Sequence, residues 1–129
     1  AVRACYLYSG MSDVAYETKD QELYAACKEI FNDIVNKKMY ITGGLGSSHI
    51  GESFTMAYDL PNETAYCETC ASISMIYFAN RMMKFDNNSI YADIIERELY
   101  NGALAGVSLD GKSFFYENPL EIKRIEYEC

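Results

Sequence analysis

Apolar residues return every three or four positions over the first third of this chain, and then the rhythm stops. Over residues 1–17, Val2, Cys5, Tyr6, Met11, Val14 and Ala15 keep close to a 3.6-residue period, which predicts an amphipathic helix. Thr18-Lys19-Asp20 interrupts it, and Leu23, Ala26, Cys27, Ile30, Phe31, Ile34 and Val35 resume the spacing. Two helices joined by about three residues must run antiparallel, so the pair predicts a helical hairpin.

From Ile41 to Glu68 no period survives. Thr42-Gly43-Gly44-Leu45-Gly46-Ser47-Ser48 is turn-forming material, and Leu60-Pro61-Asn62 is a second stop. A connection of about 27 residues without regular structure is uncommon inside a compact domain and usually carries function. A second hairpin follows. Ala71 to Lys84 is apolar on nearly every side, with Ile73, Met75, Ile76, Tyr77, Phe78, Met82 and Met83, which predicts a buried helix. Phe85-Asp86-Asn87-Asn88 is its connection to the next. There Tyr91, Ile94, Ile95, Leu99 and Ala103 are expected to face inward, with Glu96, Arg97 and Glu98 on the solvated side. Beyond Gly106, Val107-Ser108-Leu109, Asp110-Gly111 and Ser113-Phe114-Phe115-Tyr116 predict a short β-hairpin with a type I′ turn. The expected fold class is mainly α. Paired helices with loops gathered at one end suggest a slice of an α/α toroid, as one unit over residues 1–129.

Composition narrows the function. A chain of 129 residues has room for one compact unit, and 50% hydrophobic residues, with twelve Tyr and six Phe, support a sizeable core. Eleven basic against nineteen acidic residues (net −8) argue against a nucleic-acid partner, which needs a positive surface. Membrane association is not expected either, because no apolar run approaches the ~18 residues of a spanning helix. The chain opens on Ala1 in what reads as mid-helix and closes on Cys129, so it is expected to be part of something longer. Cysteines at 5, 27, 67, 70 and 129 are odd in number and lack the spacing of a disulfide framework, so a reducing, cytoplasmic setting is expected. Cys5 and Cys27 fall on apolar helical faces as core thiols. The sequons at Asn62 and Asn87 would matter only on a secretory route.

The candidate chemistry lies at the end of the irregular stretch. Glu68 and Cys70 are two residues apart, which on a helix would turn their side chains about 200° from one another. To share a metal, Glu68 must therefore be extended, with Thr69 as N-cap and Cys70 as the first helical residue. A thiol there feels the positive end of the helix dipole, which favours the thiolate zinc requires. The pair would supply two of four tetrahedral ligands. Equally, Cys70 reads as a small buried hydrophobe and Glu68 as a first-turn helix acid. Cys67-x-x-Cys70 matches half a zinc knuckle or a redox pair. Glu52 sits in the loop Gly51-Glu52-Ser53-Phe54. A carboxyl held against apolar surface is suited to general-acid work, and a solvated loop glutamate is the plain alternative. His49, the only histidine, could bind substrate or metal or simply be exposed. The Gly43–Gly46 run lacks the Lys-Ser/Thr of a phosphate loop, which argues against a nucleotide.

Several motifs together resemble one family. They are Lys38-Met39-Tyr40-Ile41-Thr42-Gly43-Gly44, Gly51-Glu52-Ser53-Phe54, Tyr58-Asp59-Leu60-Pro61-Asn62, Ala65-Tyr66-Cys67-Glu68-Thr69-Cys70-Ala71-Ser72 and Phe114-Phe115-Tyr116-Glu117-Asn118-Pro119-Leu120-Glu121. The resemblance is to glycoside hydrolase family 127, the zinc-dependent β-L-arabinofuranosidases, and runs from Ala1 to Glu121. It implies an (α/α)₆ barrel of which this chain is a middle portion. It implies Glu52 as acid/base, Glu68 and Cys70 as Zn²⁺ ligands, and Tyr116 as a sugar contact. His49 matches a histidine often found before the acid/base motif, here assigned to substrate binding. The substrate implied is an arabinofuranoside or related glycan. The family's chemistry is retaining: a zinc-bound cysteine attacks the anomeric carbon while the acid protonates the leaving oxygen. That nucleophile belongs to an adjacent Cys-Cys pair further downstream, which has no counterpart here, since Cys129 follows Glu128. Cys67 stands where the family often has a small residue. The chain alone is therefore expected to be inactive and to self-associate through faces meant for neighbouring helices. A noncatalytic carbohydrate-binding or assembly module on the same fold is the alternative.

Overall fold

Helices α1 (Val2–Thr18) and α2 (Gln21–Lys37) form the first hairpin of the computed structural model, which describes residues 1–121. Two residues build the turn. Lys19 takes left-handed backbone (φ 57°), and its N–H reaches back to the carbonyls of Ala15 and Tyr16. The Asp20 carboxylate then accepts from the Leu23 N–H at 3.0 Å and caps α2.

Helix α3 (Thr69–Met82) is the centre of the fold. Ala71, Met75, Phe78, Ala79 and Met82 are all fully buried on it, against α1 on one side and α4 (Ser89–Arg97) on another. The Phe78 ring meets Tyr8 of α1 at 5.7 Å and Phe31 of α2 at 5.5 Å, and Phe31 meets Tyr91 of α4 at 4.9 Å. Burying each large apolar side chain contributes about 1.5–3 kcal/mol, so this ring relay ties four helices together. Asp13 adds an exposed clamp, pairing with Arg81 and Lys84 at 2.9 Å each. Asn88 caps α4 by accepting from the Ile90 N–H at 3.1 Å.

The long connection between α2 and α3 lacks regular structure as expected, yet it is packed. Met39 and Leu45 form an antiparallel bridge, and Leu45 is fully buried. The Cys67 N–H donates to the Gly46 carbonyl at 2.9 Å, and the Tyr58 N–H donates to Lys37 at 2.8 Å. Tyr40, Ala65 and Cys67 form a small second core beside Leu60 and Leu120. Gly44 permits that core to close, because a β-carbon there would stand 2.8 Å from the Cys67 sulfur.

Two expectations need correction. First, α4 ends at Arg97, and a π-helical turn (Glu98–Ala103) and a 3₁₀ turn (Leu104–Gly106) continue it. Glu98 is 0% exposed while Leu99 is 37% exposed, the reverse of the expected faces. The inward stripe runs Tyr91, Ile94, Glu98, at the spacing of one helical face, and so passes through a carboxyl. Second, the segment after Gly106 is not a β-hairpin, and no strand forms among the described residues. Val107 and Phe114 make a single antiparallel bridge, and Ser108 N–H donates to Ser113 at 2.9 Å. The Asp110 carboxylate accepts from the Ser108 hydroxyl at 2.6 Å and the Lys112 N–H at 3.1 Å, a local turn that displaces the type I′ geometry. Leu109 and Phe114 are exposed, so no packing layer extends the bridge. Cys129 lies outside the described residues. Among the described residues no helix is long and apolar enough to cross a membrane.

Candidate active site

The start of α3 gathers the two donors singled out above. Glu68 is extended (φ −68°, ψ 147°) and is itself the N-cap, one residue earlier than expected, so Thr69 begins the helix and Cys70 is its second residue. The Glu68 side chain does not cap. It turns inward and is 1% exposed. Tyr116 supplies the cap, its carbonyl accepting the Thr69 N–H at 3.0 Å and the Thr69 hydroxyl at 3.3 Å. The phenol of the same residue donates to Glu68 Oε2 at 2.7 Å and reaches Cys70 Sγ at 3.0 Å. An extended Glu68 is what lets carboxylate and sulfur meet one hydroxyl despite their spacing.

The single phenolic proton of Tyr116 faces both Glu68 Oε2 and Cys70 Sγ, and Glu68 Oε1 is buried with no hydrogen-bond partner among the described residues. No ion pair among the described residues reaches Glu68. The bond to Cys70, then the bond to Glu68, then desolvation push the Tyr116 phenol well above its usual range. A buried carboxylate oxygen without a partner, beside a half-buried thiol, fits half of a tetrahedral zinc site. No third His, Cys, Asp or Glu joins the pair among the described residues. Burial pushes the Cys67 thiol up to about 12, which disfavours it as a thiolate ligand or redox partner of Cys70.

Glu52 stands at the end of a 3₁₀ turn over Ile50–Glu52. The loop is closed by paired bonds between Ser48 and Ser53 (3.4 and 3.1 Å), and the Glu52 N–H donates to His49 at 3.3 Å. Glu52 adopts left-handed backbone (φ 51°), which for a residue with a β-carbon costs about 1–2 kcal/mol. Its carboxylate and that of Glu68 act on the same group. The Tyr66 phenol is pushed up by desolvation and then by Glu68, Glu52, Glu117 and Cys70. Glu52, Glu68 and Cys70 thus all act electrostatically on Tyr66, whose ring meets that of Tyr116 at 6.3 Å and 68°.

His49 is exposed. With Glu63, Tyr66 and Glu117 it lines a cleft of about 340 Å³ that shares Tyr66 with the cluster. Tyr66 and Glu117 are thus members of the site that the sequence reading did not single out. Both lie inside quoted motifs, next to Cys67 and Tyr116, and that adjacency was the available signal.

Comparison with known proteins adds a second line of evidence. The family profile described as the GH127 catalytic domain of β-L-arabinofuranosidase matches residues 1–128. The chain is 50% identical over 121 residues to a non-reducing end β-L-arabinofuranosidase of Bifidobacterium longum subsp. longum, covering 94% of this chain and 18% of that protein. It superposes on the crystal structure of a GH127 β-L-arabinofuranosidase from Geobacillus stearothermophilus T6 with a TM-score of 0.93 and 50% identity, over 95% of this chain and 19% of that one. A second solved structure, a GH127 β-arabinofuranosidase, gives 0.89 at 54% identity, over 92% and 19%. The chain thus spans about a fifth of the length of these relatives. With a family match over nearly all of its residues and a likeness of both sequence and backbone, this chain belongs to the catalytic-domain family of the GH127 β-L-arabinofuranosidases.

Proposed function

We propose that this chain is part of the (α/α)₆ catalytic barrel of a retaining β-L-arabinofuranosidase, carrying the acid/base and half of a zinc site. The single observation that carries the reading is the Tyr116 hydroxyl shared by Glu68 and Cys70, with Glu68 Oε1 buried and unpartnered beside it. Glu68 and Cys70 would hold the metal. When bound, zinc supplies a positive charge that keeps coordinated thiols deprotonated.

Glu52 protonates the glycosidic oxygen as the sugar departs and takes a proton from the incoming water in the second step. Tyr116 and Tyr66 present a rigid aromatic wall to the furanose, and Tyr116 fixes the carboxylate and sulfur with its hydroxyl. His49 and Glu117 line the adjoining cleft, where the substrate's hydroxyls are bound. The family resemblance assigns the nucleophile to an adjacent cysteine pair; no two cysteines are adjacent in these 129 residues, so this reading takes the nucleophile from another part of the protein. An arabinofuranosidase assay of this chain beside the full-length protein tests the reading. Turnover is expected from the full-length protein only, and comparable turnover by the chain alone would refute a nucleophile supplied from outside it.

A second reading, an assembly module, is favoured by one feature. Val107, Phe114 and Phe115 are exposed together around an apolar cleft of about 300 Å³. Sugar binding without hydrolysis, by a full-length protein shown to lack the downstream cysteine pair, would favour this second reading, and turnover by the full-length protein argues against it.

A further inference from the structure

Glu98 is fully buried, and among the described residues no hydrogen bond of good geometry reaches either of its carboxyl oxygens, with the Ser72 hydroxyl the nearest candidate. Ser72 Oγ, equally buried and unpartnered, faces it from α3. Both crowd onto Gly102, where a β-carbon would stand 2.2 Å from Ser72 Oγ and 2.9 Å from Glu98 Oε2. Glu98 opens the π-helical turn, a wide turn that recurs where a helix is deformed at a functional site. Ser72 in turn lies one helical turn beyond Glu68, and its N–H donates to the Glu68 carbonyl at 3.3 Å. The carboxyl therefore rests beneath the turn that bears Glu68 and Cys70.

What surrounds Glu98 does not neutralise it. Cys5 faces it from α1 and Cys67 from the long connection, and burial pushes both thiols up to about 12, so both stay neutral. On its own helix the neighbouring charge is Arg97, an exposed residue whose stem passes Gly43, and no ion pair forms with Glu98 among the described residues. An unpaired charge in such a setting is strongly disfavoured, whereas a protonated carboxyl adds a second donor beside the Ser72 hydroxyl. Desolvation pushes Glu98 up to about 8, against smaller lowering effects of Ser72 and Arg97.

We infer that Glu98 is a positioning residue carried in its neutral form, which engages the Ser72 hydroxyl and holds the first turn of α3, with Glu68 and Cys70, in register. The inference rests on the reading of that turn as the working site, and its test needs neither metal nor turnover. Glu98→Gln keeps shape and a donor but cannot ionise, while Glu98→Ala removes both. The neutral group's stabilisation is complete below its ordinary value of 4.5 and is lost as pH rises toward about 8. In denaturant titrations of the metal-free full-length protein, the folding constant of wild type relative to Glu98→Gln should fall about tenfold per pH unit across that window. Parallel profiles would overturn a neutral Glu98. Positioning is read from alkylation of Cys70, resolved by peptide mass spectrometry at a single pH. Glu98→Gln should stay within about twofold of wild type, and Glu98→Ala should label about fivefold faster or more, as the turn opens locally. Equal rates in all three would overturn the positioning role. If Glu98→Ala does not fold, Ser72→Ala serves in its place with the same expectation. A failed hydrolase reading would show in the activity assay, and a failed inference only in these two measurements.

Discussion

Tyr116 lies 46 residues beyond Cys70 in the chain, yet its hydroxyl stands 3.0 Å from the Cys70 sulfur. The same hydroxyl bonds Glu68, and the Tyr116 carbonyl caps the helix between them. A Glu-x-Cys pair that is only suggestive as a local pattern is brought onto one hydroxyl by a single tertiary partner. Groups that orient metal ligands in this way are worth a good deal to affinity. Tyr116→Phe keeps the ring against Tyr66 and removes only the hydroxyl. We expect zinc affinity of the full-length protein, read by competition with a chromophoric chelator, to fall about 10–100-fold. Unchanged affinity would show that the hydroxyl does not orient the pair.

The Glu52 backbone is held by a strained, closed loop, which suits the proton exchange proposed for its side chain. Glu52→Gln in the full-length protein should lower kcat about 10²–10⁴-fold on an arabinofuranoside with a poor leaving group. The loss should be much smaller on an aryl glycoside, whose leaving oxygen needs no proton. Equal losses on both substrates would remove Glu52 from proton transfer.

Much of the fold was legible because the breaks in the periodic pattern coincide with real caps. Lys19 and Asp20 end one helix and start the next, and Asn88 starts α4. The extended Glu68 was legible too, as the only way for its carboxyl and Cys70 to share a partner. The far end of α4 was not, because a charged residue on the apolar stripe at Glu98 reads as solvated until burial is seen. Asp110-Gly111 signals a hairpin, but the carboxylate prefers its own local bonds and the flanking side chains have no layer to cover them. At the site, Tyr66 and Glu117 escaped notice since their part depends on contacts distant in sequence. The roles of Glu52, His49 and Tyr116 came from family resemblance rather than from periodicity or spacing.

Gly102 tests how tightly the helix after α4 is pressed against α3. Gly102→Ala would place a methyl group 2.2 Å from Ser72 Oγ and 2.9 Å from Glu98 Oε2. Overpacking of this kind costs about 1–3 kcal/mol. The urea midpoint should fall accordingly with an unchanged slope. A change below about 0.5 kcal/mol, the range of ordinary surface substitutions, would mean the contact is loose.

The account depends most on Glu68 and Cys70 sharing one metal, and diffraction at the zinc absorption edge from crystals of the full-length protein grown with zinc tests that directly. The predicted result is an anomalous peak bonded to both residues, about 2.3 Å from the Cys70 sulfur and about 2.0–2.2 Å from a Glu68 oxygen. A peak elsewhere, with Glu68 and Cys70 still bound only to the Tyr116 hydroxyl, would contradict it.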